Sequence, residues 1–142
     1  MSTHHGQCHC GAIEVEYETA IPAGEATMRA CQCSFCRKPQ SRSVSDPAGR
    51  ATIRVRDAAK LNRYRFGMGV TDFLVCRGCG VYVGAYFEVE DGAWATLMVN
   101  AFDDHADWTG PLVPRVHDAE DASGRIQRRK DTWTPARLTI DD

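Results

Sequence analysis

Seven cysteines fall in three short clusters, Cys8-His-Cys10-Gly, Cys31-Gln-Cys33-Ser-Phe-Cys36 and Cys76-Arg-Gly-Cys79-Gly, and no other feature limits the folding of this chain as tightly. On an extended C-x-C both side chains face one side, so two sulfurs can share a metal. In CRGCG the glycines Gly78 and Gly80 allow a tight turn that brings two thiols together and backbone N–H groups toward them. Disulfides fit these spacings poorly. The count is odd, and Cα atoms two apart on a strand are roughly 6.5–7 Å from one another, at the edge of disulfide reach. Dense cysteines in a chain without a secretion signal read as metal-binding or catalytic, with a disulfide framework as the alternative.

Structural zinc takes four ligands, whereas catalytic zinc takes three and keeps a position open for water or substrate. Seven cysteines divide as four plus three. The pairs Cys8/Cys10 and Cys76/Cys79 complete one another and leave Cys31, Cys33 and Cys36 as a three-thiolate site. The other partition joins one pair to two members of the triplet and strands the rest. A histidine could also close the triplet as a purely structural Cys3His site. His4 and His5 lie at a terminus expected to be mobile, and His105 and His117 fall in an irregular tail. His9 stands between two proposed ligands, and strand alternation turns it to the opposite face.

The rest of the chain reads as short strands at 12–18, 52–56, 62–67, 72–76, 81–89 and 93–102, separated by Gly- and Pro-containing turns. Only one helical turn, within RDAAKLNRY, is expected, so the fold class is mainly β, with mainly antiparallel strands. The 142 residues fit a single domain, 1–142, whose segment 103–142 is expected to wrap the sheet as an irregular tail anchored by Trp108 and Trp133. That tail carries the acids Asp103, Asp104, Asp107, Asp118, Glu120 and Asp121 and then turns basic at Arg125, Arg128, Arg129 and Lys130. With Asp131 inside the basic run and acids upstream, a solvated, internally paired face is expected there. A net charge of −2 gives no field that would draw the protein to nucleic acid or an anionic membrane. No apolar run approaches the ~18 residues that span a bilayer, and MSTHHGQCHC lacks a signal-peptide core, so a soluble cytoplasmic protein is expected.

The order C-x-C-G, C-x-C-S-x-C, C-x-x-C-G, carried by CHCGAIEVEY (8–17), CQCSFC (31–36), LNRYRFG (61–67) and FLVCRGCGVYVG (73–84), resembles the glutathione-dependent formaldehyde-activating enzyme family, also called the centromere protein V family. The resemblance runs to about residue 102, and PRVHDAEDASGRIQRRKDTW is loosely similar to the family's closing segment. It implies a β-tent-like zinc-binding fold of short antiparallel strands. It also implies two Zn²⁺ ions, one structural on Cys8, Cys10, Cys76 and Cys79 and one catalytic and labile on Cys31, Cys33 and Cys36. The implied reaction is reversible joining of a thiol to a small carbonyl compound, which makes the chain a carbon–sulfur lyase acting on glutathione-like thiol adducts. Ser34 and Phe35 would then line the site mouth and His117 would be a candidate proton acceptor, against its plainer reading as an ordinary tail histidine. The sequence departs from the family after the second motif, where RKPQSRSVSDP replaces a stretch of small residues that members often carry.

A different class of function fits the same fold. β-Tent domains are similar to small zinc proteins that act as nucleotide-exchange chaperones for GTPases, and in such a binding module all zinc would be structural. The expected partner of the enzyme is a small-molecule thiol or thiol adduct, with neither nucleic acid nor membrane involved. Oligomeric state is not legible in the chain.

Overall fold

Alternation builds the first part of the sheet. In β2 (Ile13–Thr19) the side chains of Ile13, Val15 and Tyr17 are buried, and in β5 (Arg50–Val55) those of Ala51, Ile53 and Val55 are. The two strands pair antiparallel with Ile13 opposite Val55, Val15 opposite Ile53 and Tyr17 opposite Ala51, so one face is wholly apolar. The other face pairs Glu14 with Arg54 and Glu18 with Arg50. Each buried aliphatic residue contributes about 1.5–3 kcal/mol over an exposed one, which fixes the register.

The computed structural model describes residues 1–117 and 119–141; Asp118, counted above among the tail acids, and Asp142 lie outside the described residues. Strands β1 (Ser2–Gln7), β3 (Met28–Cys31), β4 (Ser43–Val44), β6 (Leu61–Tyr64), β7 (Asp72–Cys76), β8 (Tyr82–Val89), β9 (Gly92–Met98), β10 (Leu112–Arg115) and β11 (Thr134–Ile140) complete the set, with one helix, α1 (Ala122–Thr132). The sheet runs β1-β2-β5-β11-β9-β4-β3-β10, and β8, β7 and β6 branch from β9 as an antiparallel meander. One core gathers Ile13, Val15, Ile53, Leu97, Phe102 and Trp108. A second lies around Cys36, with Phe73, Tyr82, Phe87, Met98 and Trp133.

The expected strands at 12–18, 52–56, 72–76 and 81–89 are present, and the single helical turn falls at Ala58–Lys60. The segment 62–67 is strand only over Leu61–Tyr64, and 93–102 gives way after Met98 to a turn at Val99–Ala101. Two expectations need correction. The N-terminus is not mobile: β1 pairs with β2, and His4 and Gly6 point inward. A Cβ on Gly6 would lie 2.4 Å from the Ala101 carbonyl oxygen, so its burial comes from close backbone approach and carries no apolar signature. The tail is not irregular, because it supplies β10, α1 and β11. Strand β11 sits between β5 and β9 and joins the two halves of the sheet.

The sheet is mainly antiparallel, as expected, with two parallel pairings. Both exceptions, β3–β10 and β5–β11, are made by tail strands returning from distant parts of the chain, which frees them from hairpin geometry. Helix α1 starts at Asp121, whose carboxylate accepts from the Gly124 amide at 2.7 Å, and ends at Trp133. Among the described residues no helix is long and apolar enough to cross a membrane.

Candidate functional site

The two outer cysteine pairs occupy turns of similar design. Cys8 and Cys10 lie between β1 and β2, and Cys76 and Cys79 lie at the turn from β7 to β8. The Gly11 amide closes the first turn on the Cys8 carbonyl (3.1 Å) and the Gly80 amide closes the second on Cys76 (2.8 Å). Both glycines are left-handed, at φ 81° and 80°, where a side chain would be strained. Backbone amides also face the sulfurs: Ile13 donates to Cys8 Sγ and Gly78 to Cys76 Sγ, each at 3.3 Å.

The four sulfurs lie within 4.8 Å of one another. Cys8 and Cys10 Sγ are 3.8 Å apart, and Cys10 and Cys76 Sγ 3.5 Å apart. A tetrahedron of sulfurs at the Zn–S distance of ~2.3 Å has edges of about 3.8 Å, whereas a disulfide needs ~2.05 Å. The donor set and its spacing therefore fit a zinc ion and exclude a bridge. Burial pushes the Cys8 thiol up to about 11. Cys79, against the effect of burial, is drawn down to about 6 by the backbone N–H groups of Val81 and Cys10.

Cys31 ends β3, after which the chain turns back so that Cys33 and Cys36 meet it. These three sulfurs also lie within 4.8 Å of one another, and the Cys36 amide donates to Cys33 Sγ at 3.3 Å. Hydrogen bonds from Cys31 and Cys36 hold Cys33 well below the usual thiol range, and the contacts of Cys36 with Cys31 and then Cys33 push Cys36 up. Among the described residues no histidine nitrogen joins the cluster. His4 is buried elsewhere, with Nδ1 2.7 Å from Asp104 and its ring against Trp108.

The triplet forms one wall of a cavity of about 110 Å³. Phe66, Phe73, Tyr82, Met98 and Trp133 give it an apolar floor, and the buried Tyr82 hydroxyl stands 4.0 Å from Cys36 Sγ. His117 lines the cavity, with its pKa lowered by burial and then by Arg128. Ser34 is exposed and outside the lining, while Phe35 packs behind it on Phe66, Phe73 and Tyr82.

Positive charge beside the sulfurs comes from five arginines, three of which, Arg125, Arg128 and Arg129, were expected to be solvated. Arg29 and Cys31 are two apart on β3 and so share a face, and Arg115 of β10 is the register partner of Cys31. Arg125, Arg128 and Arg129 stand three and four apart on α1, on one side of the helix, and all line the cavity. Arg128 forms a two-pronged pair with Glu120 (2.8 and 3.1 Å). Arg125 lies 3.6 Å from the same carboxylate. Arg129 is 7% exposed, donates to the Thr71 hydroxyl and stacks over Trp133 at 4.7 Å. Burial, then Arg128 and Arg125, lower its pKa to about 10. The signal for this wall was the spacing R-x-x-R-R-x-x-x-W, which acquires a face only once the segment is known to be helical.

A crystal structure of a Rhodobacter sphaeroides protein is similar to this chain, with 27% identity, a TM-score of 0.56, and coverage of 77% of this chain and 98% of that one. The family model described as glutathione-dependent formaldehyde-activating enzyme matches residues 3–117. The match takes in all seven cysteines, β1 through β10, Arg29, Arg115 and His117, and stops before α1 and β11. By that match the chain belongs to the glutathione-dependent formaldehyde-activating enzyme family.

Proposed function

We propose that the protein is a carbon–sulfur lyase acting on adducts of a glutathione-like thiol and a small carbonyl compound. In this reading Cys8, Cys10, Cys76 and Cys79 hold a structural zinc and Cys31, Cys33 and Cys36 a catalytic one. The supporting observation is the contrast between the clusters: four sulfurs complete a tetrahedral set in turns, whereas three face a cavity with no fourth protein donor among the described residues. Zinc held by the triplet supplies a Lewis acid for a carbonyl oxygen or a coordination position for a thiolate.

The reaction needs no redox partner. In the adduct R–S–CH(OH)–R′ the hydroxyl gives up its proton as the C=O bond forms. The C–S electron pair goes to sulfur, which takes up one proton to leave as the thiol. His117, kept neutral by its lowered pKa, is placed on the cavity wall to accept the hydroxyl proton. Burial keeps Tyr82 protonated, so it serves as a hydrogen-bond donor beside the sulfurs. The rings of Phe66, Phe73 and Trp133 exclude water from the reacting atoms.

The alternative, a zinc-stabilised binding module, accounts for the four-thiol cluster and leaves the cavity unexplained. Unpaired cysteines at metal-ligand spacing support a reducing compartment such as the cytoplasm. The test is a panel of thiol–aldehyde adducts incubated with the zinc-loaded protein while free thiol and aldehyde are measured. Cleavage abolished by His117→Gln and by Cys33→Ser supports the assignment. Cleavage no faster than the uncatalysed reaction across the panel contradicts it.

A further inference from the structure

The cavity wall around the triplet is more positive than the thiols require. A divalent ion on three thiolates leaves one net negative charge, which a single guanidinium balances, yet among the described residues five arginines line this cavity and no carboxylate does. Glu120 compensates Arg125 and Arg128 from behind. Arg29, Arg115 and Arg129 have no carboxylate partner among the described residues. Arg29 spends its donors on the hydroxyls of Ser45 and Thr96, Arg115 on the Pro114 carbonyl, and Arg129 on Thr71.

Arg129 is the telling member. It is more than nine-tenths buried, it lines the cavity, and its Nε has no acceptor among the described residues. A buried guanidinium without a counter-anion is costly, and its fork geometry matches the oxygens of a carboxylate or phosphate. Three of the five arginines, Arg129 among them, lie on α1 beyond the family match, whereas Arg29 and Arg115 lie within it.

We infer that Arg129, Arg29 and Arg115 form an anion subsite beside the triplet, and that the carbonyl-derived half of the substrate carries a carboxylate or phosphate held there. The inference deepens the lyase reading and rests on it for the reaction. Size and position separate this anion from the carboxylates of a bulky thiol. The cavity of about 110 Å³ is far smaller than the ~300–1,000 Å³ that encloses a drug-sized ligand, so a small oxyanion fits inside it while the bulk of a tripeptide thiol would extend beyond its open mouth. Arg29 and Arg115 flank Cys31 directly, within roughly 5–7 Å by strand geometry, which places the anion next to the reacting carbon.

Calorimetric titration of the zinc-loaded full chain with glyoxylate, inorganic phosphate, glutathione and the uncharged aldehyde methylglyoxal tests this. Glyoxylate or phosphate should bind about tenfold or more tightly than methylglyoxal, and added salt should weaken binding. Which of the two wins assigns carboxylate or phosphate. Arg129→Gln should remove the preference and exposed Arg50→Gln should leave it intact. If Arg129→Gln does not fold, Arg115→Gln should still weaken anion binding severalfold.

Equal binding of glyoxylate and methylglyoxal, no binding of either oxyanion, or oxyanion binding that competes only with glutathione and survives both cavity variants overturns the subsite. The two readings fail separately. Anion binding lost in Arg129→Gln without cleavage of any adduct rejects the lyase and keeps the subsite. Cleavage of a glyoxylate-derived adduct no faster than that of an uncharged one, with kcat/KM for the charged adduct unchanged in Arg129→Gln, keeps the lyase and rejects the subsite.

Discussion

Cys76→Ser and Cys33→Ser should have opposite profiles in stability and metal content. Cys76 is 1% exposed, accepts from the Gly78 amide, and lies 3.5 Å from Cys10 Sγ, so its ligation ties β7 to the β1–β2 turn. Structural zinc binding in small domains is of the order of 10–16 kcal/mol, comparable with the ~5–15 kcal/mol of a whole domain. Losing even a third of it costs about 4 kcal/mol. At ~3–4 °C per kcal/mol for a chain of this size, Tm should fall by about 12–16 °C. Cys33 is half-buried, and its sulfur accepts one backbone hydrogen bond, worth about 1 kcal/mol, so its variant should stay within ~4 °C of the parent. Calorimetry gives the two Tm values and elemental analysis the zinc content, with Cys33→Ser expected to retain one ion. Equal destabilisation by the two substitutions would refute the division of labour between the clusters.

Gly6→Ala should cost about 1–3 kcal/mol in thermal melts, because its Cβ would collide with the Ala101 backbone at 2.4 Å; an unchanged Tm contradicts the close approach. Asp104, despite partial burial, is held below the usual carboxylate range by His4 and then Trp108, so its stabilising contribution is present above pH ~4 and lost as pH falls through the depressed value. Asp104→Asn should therefore flatten the acid limb of stability against pH, and an identical limb would count against the contact. Deleting residues 121–142 removes β11 from between β5 and β9 and should abolish cooperative unfolding; a truncated chain that melts normally would show the tail to be dispensable.

The cysteine sites were legible because ligand spacing is local: C-x-C and C-x-x-C-G bring their own sulfurs together, and counting then pairs the turns. Strands β2 and β5 were legible because one face is apolar and the other charged. Strand β1 was not, since its buried residues are His4 and Gly6, one held by a carboxylate and one by lack of a side chain. In β11 the core-facing alternate positions are Thr134, Ala136 and Leu138, too small or too polar to stand out, and their partners lie far away in sequence, in β5 and β9. The arginine wall was hidden for a related reason. Helix α1 has only Ile126 as a large aliphatic residue, so the apolar period that would announce a helix is missing and its arginines read as a solvated charge run.

The most direct test of the central claim is zinc stoichiometry followed through graded chelation, with the fold monitored by circular dichroism. The two-cluster account predicts two zinc ions per chain, one released early with loss of adduct cleavage and an unchanged spectrum, the other released only as the sheet unfolds. A single zinc, or two ions leaving together with the fold, would contradict it.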